Sequence, residues 1–317
     1  MALHSESEYE DLLSQWANLE SGLGVLLASP EAAQEFTQRV RQYDRWLQTL
    51  LRLDTDLSLY LLFQLADNSP VGYSASHSLV CAVLCHLLAD PLHLPSTQRD
   101  ALVRAALTMN VCMTALQDVL AKQVERPNTM QRDAIASHAR RGAELLAALG
   151  VNDPLWLDAV ARHHDEPPAA ALTELPPSVA LARILRTVDR YAAMISPRQN
   201  REGRSPLDSL RAILNASALR RDEVGHALAQ AVGLYPPGTY VRLENQEVAV
   251  SVARSAMSEQ PELVAVVDAQ GTPLTPARWL GVGRSTIKGP IATTSLRDTL
   301  NHFVILQCAQ RARAKAA

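Results

Sequence analysis

A chain of 317 residues is long enough to bury a sizeable core, as two domains or as one with extensions. At 47% hydrophobic and 20% charged, with a net charge of -3, it has the make-up of a soluble globular protein, and nucleic acid and membrane are not expected partners. The acidic start, MALHSESEYEDLL, lacks the basic-then-apolar plan of a signal peptide, and no window of about 20 apolar residues predicts a membrane span.

Residues 8–66 read as helix. Leu12, Leu13, Trp16, Leu19 and Leu23 fall near the helical period. Pro30 followed by Glu31 predicts a second helix start, since proline is tolerated in the first turn and an acid there complements the dipole. That helix runs to about Arg52 with Phe36, Val40, Tyr43, Leu47 and Leu50 on one stripe, and a further one is predicted from Asp54 to Leu65. This N-terminal region, residues 1–66, carries no readable motif. It is expected to pack on the adjoining helical domain, and a homodimer or partner surface is the alternative.

Residues 67–234 stay helical, with turns at PLHLPST, ERPNT, GVNDP and PRQNREGRSP. The stretch EPPAAALTELPPS, with four prolines in residues 166–178, is a loop. The period then changes to two: GTYVRLENQEVAVSVARS predicts a hairpin turning at Glu244-Asn245, and ELVAVVDAQGTPL repeats the pattern around a glycine turn. A small antiparallel β module is thus expected over residues 235–284. A helical tail over residues 285–317 ends in the basic run RARAKAA. The four cysteines, Cys81, Cys85, Cys112 and Cys308, form no CxxC pair. Cys81 and Cys85 stand one helical turn apart among apolar residues, where cysteine behaves as a small hydrophobe; core packing is the reading, with zinc or redox use the alternative. A reduced, cytoplasmic protein is expected.

Against this helical background stand His77, His138, the adjacent pair His163-His164, and Asp189. Imidazole and carboxylate are the donor types that divalent transition metals take. His77-Ser78 opens one predicted helix; His138, Gly142 and Leu146 share another; His163-His164-Asp165 precedes the proline-rich loop. Asp189 is followed by Tyr191, Ala193, Ser196, Arg198 and Arg201, and YPPGTYVRLENQEVAVSV closes the set. In this order, across residues 73–280, the chain resembles the bacterial HD-GYP phosphohydrolase family. The matching family segments are HPxxGxx(I/L)L, HHE, an aspartate-tyrosine-serine-arginine run and the C-terminal strands. The related non-catalytic HDOD family also keeps an eroded helical core, but the HHD run and the strand module favour HD-GYP.

The resemblance implies a mainly α, HD-superfamily helical domain, with the N-terminal helical extension and the small C-terminal sheet attached. It further implies hydrolysis of cyclic di-GMP by a cluster of two or three metals, usually iron or manganese. His77, His138, His163, His164 and Asp189 then fall at metal-ligand positions. Arg198 and Arg201 fall at ligand-binding positions, where guanidinium groups suit phosphate; the alternative is that they are ordinary arginines of a polar loop, SPRQNREGRSP.

The chain departs from the family where catalysis is concentrated. AALTMNVCM places Met109 and Asn110 at the HD positions and Met113 at the lysine position. Tyr73 stands in place of a glutamate, and the proline-rich loop replaces the GYP loop. An asparagine amide is neutral and cannot bridge two cations, and a thioether is a poor ligand for Fe(II) or Mn(II). The multinuclear site is therefore expected to be lost. Two readings of the survivors stand side by side: one transition metal ion (Fe, Mn or Zn), or no metal and a hydrogen-bonded relic. Adjacent His163 and His164 splay about 100° apart on a helix, so both can face one ion only where the helix ends, which Pro167 suggests. His86 and His93 lie off the pattern, at the surface or at a helix end. The expected function is bacterial signalling by binding a cyclic dinucleotide or a signalling protein such as a diguanylate cyclase or response regulator. Hydrolysis is expected to be impaired or absent. An active phosphodiesterase on a three-histidine metal site is the alternative, and a purely structural scaffold the third reading.

Overall fold

The Ser5 hydroxyl accepts the Glu8 N–H at 3.2 Å and so starts the first helix, α1 (Glu6–Ala28), whose first turn carries Glu6 and Glu8. The structure is a computed structural model. It describes residues 3, 5–67, 71–166, 168–199, 203–216, 222–255, 260–283, 285–291 and 299–316. Pro167 and Arg201 lie outside the described residues.

Pro30 does not open a long helix. It starts a single 3-10 turn, Pro30–Ala32; Glu35 then takes a left-handed conformation, φ 53°, and α2 begins at Phe36 (Phe36–Leu53). The break lets α2 fold back on α1. There Gly22 meets the Tyr43 ring so closely that a Cβ at that glycine would lie 2.6 Å from the phenol oxygen. Helix α3 (Thr55–Asp67) follows, with the Asp54 carboxylate accepting the Leu57 N–H at 3.0 Å.

Helix α4 (Tyr73–Ala89) is apolar on nearly every side and is buried from Ser74 to Cys85. A helix of that character must be surrounded, and α1, α3 and the helices Ser96–Thr108, Thr114–Lys122, Pro177–Ile195 and Glu223–Val232 all pack on it. Helices α5 (Ser96–Thr108) and α6 (Thr114–Lys122) meet at a turn holding Met109 to Met113. A capping box between Asn128 and Gln131 starts α7 (Thr129–Ala148), and Asp153 with Pro154 starts α8 (Pro154–Arg162). Then come α9 (Pro177–Ile195), α10 (Pro206–Ala216) and α11 (Glu223–Val232).

Five antiparallel strands follow: β1 (Tyr240–Leu243), β2 (Val248–Ala253), β3 (Glu262–Val267), β4 (Pro273–Val282) and β5 (Ile287–Pro290), in the order β4-β3-β2-β1-β5. Alternation sends Val248, Val250, Val252, Val264 and Val266 into the helical core. Val241, Leu243, Ala249 and Leu263 form a small cluster on the other face. The sheet extends beyond the expected limit at residue 284, because β5 pairs with the free edge of β1. Its four residues, IKGP, are too short and too mixed to show a period. β4 carries two prolines and sits at the other edge, where a missing N–H costs no ladder bond.

The last helix, α12 (His302–Ala316), lies on β3 and β4. Buried Glu262 holds it there, accepting from Trp279 Nε1 at 2.5 Å and from Arg313 Nε at 2.7 Å. The Leu3 N–H donates to Gln310 Oε1 at 2.8 Å, so the two ends of the chain meet. One hydrophobic cluster runs from Leu3 to Ala309. The architecture is mainly α with a small sheet near the C-terminus, and no described helix is long and apolar enough to cross a membrane.

Candidate metal centre

Helix α8 ends at Arg162, and its end resolves the splay of the adjacent histidines. His163 is the C-cap, with ψ relaxed to -7°, and the Asp165 N–H turns back to the Arg162 carbonyl at 2.8 Å. Off the helical spiral, the His163 and His164 rings lie 4.1 Å apart between centroids, and both face His138 from the middle of α7. His138 Nε2 stands 3.2 Å from His163 Nε2 and 3.2 Å from His164 Nε2. His138 and His163 are buried, whereas His164 is exposed and opens the cluster to solvent.

The protons can be assigned. His138 Nδ1 lies 2.6 Å from the Ile135 carbonyl and His163 Nδ1 lies 2.6 Å from the Val160 carbonyl. A carbonyl only accepts, so each Nδ1 carries the proton and each Nε2 of a neutral ring presents a lone pair. Burial, reinforced by the charge of His164, pushes His163 down to about 3 against the opposing pull of Asp189. Burial also lowers His138, opposed mainly by its bond to Ile135. Both are neutral near pH 7. His164 can donate one proton to the single lone pair of His138. The His138–His163 contact is then lone pair against lone pair, which a cation at their centre would satisfy. Two nitrogens bound at about 2.0–2.1 Å in a tetrahedral site stand about 3.3 Å apart, close to the two observed 3.2 Å spacings. The three imidazoles would fit one transition ion, and exposed His164 leaves the cluster open to solvent on its side.

His77 and Asp189 form a second group. His77 Nε2 donates to Asp189 Oδ1 at 2.8 Å, and Cys81 Sγ lies 3.6 Å from the same nitrogen. Burial would raise the Asp189 carboxyl, but the His77 hydrogen bond and the positive charge that His77, His163 and His164 carry when protonated in acid outweigh it and hold the group well below the usual carboxylate range. Asp189 also acts electrostatically on His138 and His163, so its carboxylate serves both groups. Tyr73 stacks on His77 with ring centroids 5.4 Å apart. Arg198 covers the tyrosine at 4.8 Å and donates to its phenol oxygen at 2.8 Å.

Met109 and Asn110 are buried in the α5–α6 turn, and Met113 is partly buried at its end. The turn packs on α7: the Met109 carbonyl lies against Gly142, and Cys112 Sγ donates to the His138 carbonyl at 3.1 Å. The proline-rich loop is fastened down. Arg183 donates to the Ala170 carbonyl at 2.8 Å, Arg186 pairs with Glu166, and the Leu172 N–H donates to Glu223 at 2.8 Å. Cys81 lies fully buried in the hydrophobic core, as read from sequence, and its sulfur stands one helical turn from His77 on the same face of α4.

Fold and site together define a helical scaffold whose converging imidazoles could hold a transition metal ion. Over 196 residues the chain is 26% identical to the cyclic di-GMP phosphodiesterase PA4108 of Pseudomonas aeruginosa, which supports a family-level relation. The match covers 59% of this chain, and the chain spans about half, 46%, of that relative's length. No family model and no solved structure matches.

Proposed function

We propose that the chain is a degenerate HD-GYP-type protein that acts in bacterial signalling by binding a cyclic dinucleotide or a protein partner. In this reading one metal ion is held by His138, His163 and His164, and hydrolysis of cyclic di-GMP is impaired or absent. The observation that carries it is the convergence of three Nε2 atoms without a carboxylate among them, two of the spacings being 3.2 Å. An ion held by three neutral ligands keeps its double charge, which attracts the anionic oxygens of a phosphodiester and polarises them. Hydrolysis by the family's route needs a carboxylate to bridge a second ion, and position 110 offers only the neutral amide of Asn110. Arg198, whose buried Nε has no hydrogen-bond partner among the described residues, is the proposed phosphate contact from the protein side. Arg201 joins it by resemblance alone.

The test is an anaerobic incubation of Fe(II)- or Mn(II)-loaded protein with cyclic di-GMP, read by chromatography for product and by calorimetry for binding. Binding without turnover, lost in His138→Ala, is expected. Turnover that disappears in His138→Ala overturns the reading in favour of a working single-metal phosphodiesterase. The exposure of His164, which leaves the centre open to water, favours that second reading.

A further inference from the structure

We propose that Cys81 is a metal ligand, completing with His77 and Asp189 a second and softer metal position beside the three-histidine centre. The three donor atoms, a ring nitrogen, a sulfur and a carboxylate oxygen, lie within 4.8 Å of one another. His77 and Cys81 are four residues apart on α4 and share a face; Asp189 reaches them from α9, which packs against it. The sulfur–nitrogen distance is 3.6 Å. A tetrahedral zinc bound to nitrogen at about 2.05 Å and sulfur at about 2.3 Å places those atoms about 3.6 Å apart. The nitrogen–oxygen distance, 2.8 Å, is that of a hydrogen bond. It must open to about 3.4 Å to admit an ion, and of the three residues Asp189 is the one with a partly exposed side chain.

The charges balance. A thiolate and a carboxylate cancel a divalent ion, so the filled site is neutral in a pocket where His77 is 3% and Cys81 0% exposed. Binding takes the thiol proton into solution and moves the His77 proton from Nε2 to Nδ1; one proton leaves per ion bound, and no redox change occurs. His77 Nδ1 is buried and without a partner among the described residues. The shifted N–H therefore finds no acceptor there, which limits affinity and makes the ion removable by a moderate chelator. The donor set also selects the ion. Sulfur favours zinc or cobalt(II) over iron(II) or manganese(II), so the two centres prefer different metals.

The inference rests on the reading that this pocket holds metal, and cobalt(II) separates the two. Reduced full-length protein is titrated with cobalt(II) under nitrogen, and thiolate-to-cobalt charge transfer is followed in the near ultraviolet alongside the visible ligand-field bands. Two equivalents are expected. The charge-transfer band should persist in His138→Ala and vanish in Cys81→Ser, with a ligand-field spectrum of histidine type remaining in the latter. Ligand-field bands without charge transfer, or charge transfer that survives Cys81→Ser, overturn the role of Cys81 and leave the three-histidine centre standing. Charge transfer with a single equivalent that His138→Ala leaves unchanged supports Cys81 and sinks the three-histidine reading. No cobalt uptake overturns both.

Discussion

The depressed basicity of His163 makes the metal-free protein sensitive to mild acid. Its folded pKa of about 3 lies below the ordinary value of 6.5 expected once unfolding frees the ring. Between those values the unfolded chain binds a proton that the folded chain refuses, so stability is complete above about pH 6.5 and falls as pH drops towards 3. Each pH unit in that window is worth about 1.4 kcal/mol per group. At about pH 5 the window has been entered by about 1.5 units, so His163 alone removes about 2 kcal/mol. The perturbation is His163→Phe, similar in volume and unable to titrate. The variant leaves the Val160 carbonyl without its partner and loses about 1 kcal/mol at every pH; the informative quantity is therefore the slope. Urea unfolding of chelator-treated protein at about pH 7.5 and about pH 5 should show wild type losing about 2 kcal/mol more than the variant. Equal losses in the two proteins would mean that the imidazole is charged in the fold. The lone-pair argument for a cation would then fail.

The same centre should bind metal in proportion to its intact imidazoles: Mn(II), which the sulfur-containing position disfavours, at 100 times the dissociation constant should stabilise wild type by about 2.7 kcal/mol. His138→Ala should show no such gain in a thermal melt and hold under a tenth of an equivalent at that centre by elemental analysis. Asn110→Asp puts a carboxylate where the side chain is 7% exposed. It should cost the metal-free protein about 2 kcal/mol and recover that loss when manganese is added; a variant equally stable with and without the ion would refute the expectation, drawn from the family resemblance, that this position faces the metal. Glu262→Ala removes the acceptor shared by Trp279 and Arg313 and should cost about 2–3 kcal/mol. It should also expose α12 to limited proteolysis; unchanged digestion would show that apolar packing alone holds the helix.

What was legible in the sequence depends on the range over which each interaction acts. The apolar stripe of α2 and the period-two runs of β2 and β3 depend on neighbours a turn or a pleat away, so periodicity exposes them. Glu35 defeats the same reasoning. Nothing local requires a left-handed residue there, and the break exists so that Tyr43 can close on Gly22. The strand β5 owes its existence to the free edge of β1 rather than to its own residues. At the site, the histidines stand out by residue type and by their resemblance to a family pattern. That two adjacent imidazoles could face one point hung on a helix end, for which the prolines after His164 were a fair signal. How Arg198, Tyr73, His77 and Asp189 stack into one layer was not legible, because its two halves, Tyr73 with His77 and Asp189 with Arg198, lie more than 100 residues apart along the chain and meet only when α4 packs on α9.

The two donor groups differ in a way that bears on why one set of substitutions leaves the other residues intact. A buried multinuclear centre needs several anions to offset its cations, and an unmetallated chain with those anions in place would repel itself. Asp189 is already ionised in the interior, and it stays so because His77 donates to it and the histidine cluster surrounds it. A second carboxylate at position 110 would have no such partner in the metal-free protein. Asparagine and methionine at 110 and 109 avoid that conflict, while His138 and His163, buried and neutral, add no charge that needs an ion to offset it. The result is a pocket whose donors stay arranged for one ion at a low charge cost to the metal-free fold, as the proposed binding role requires.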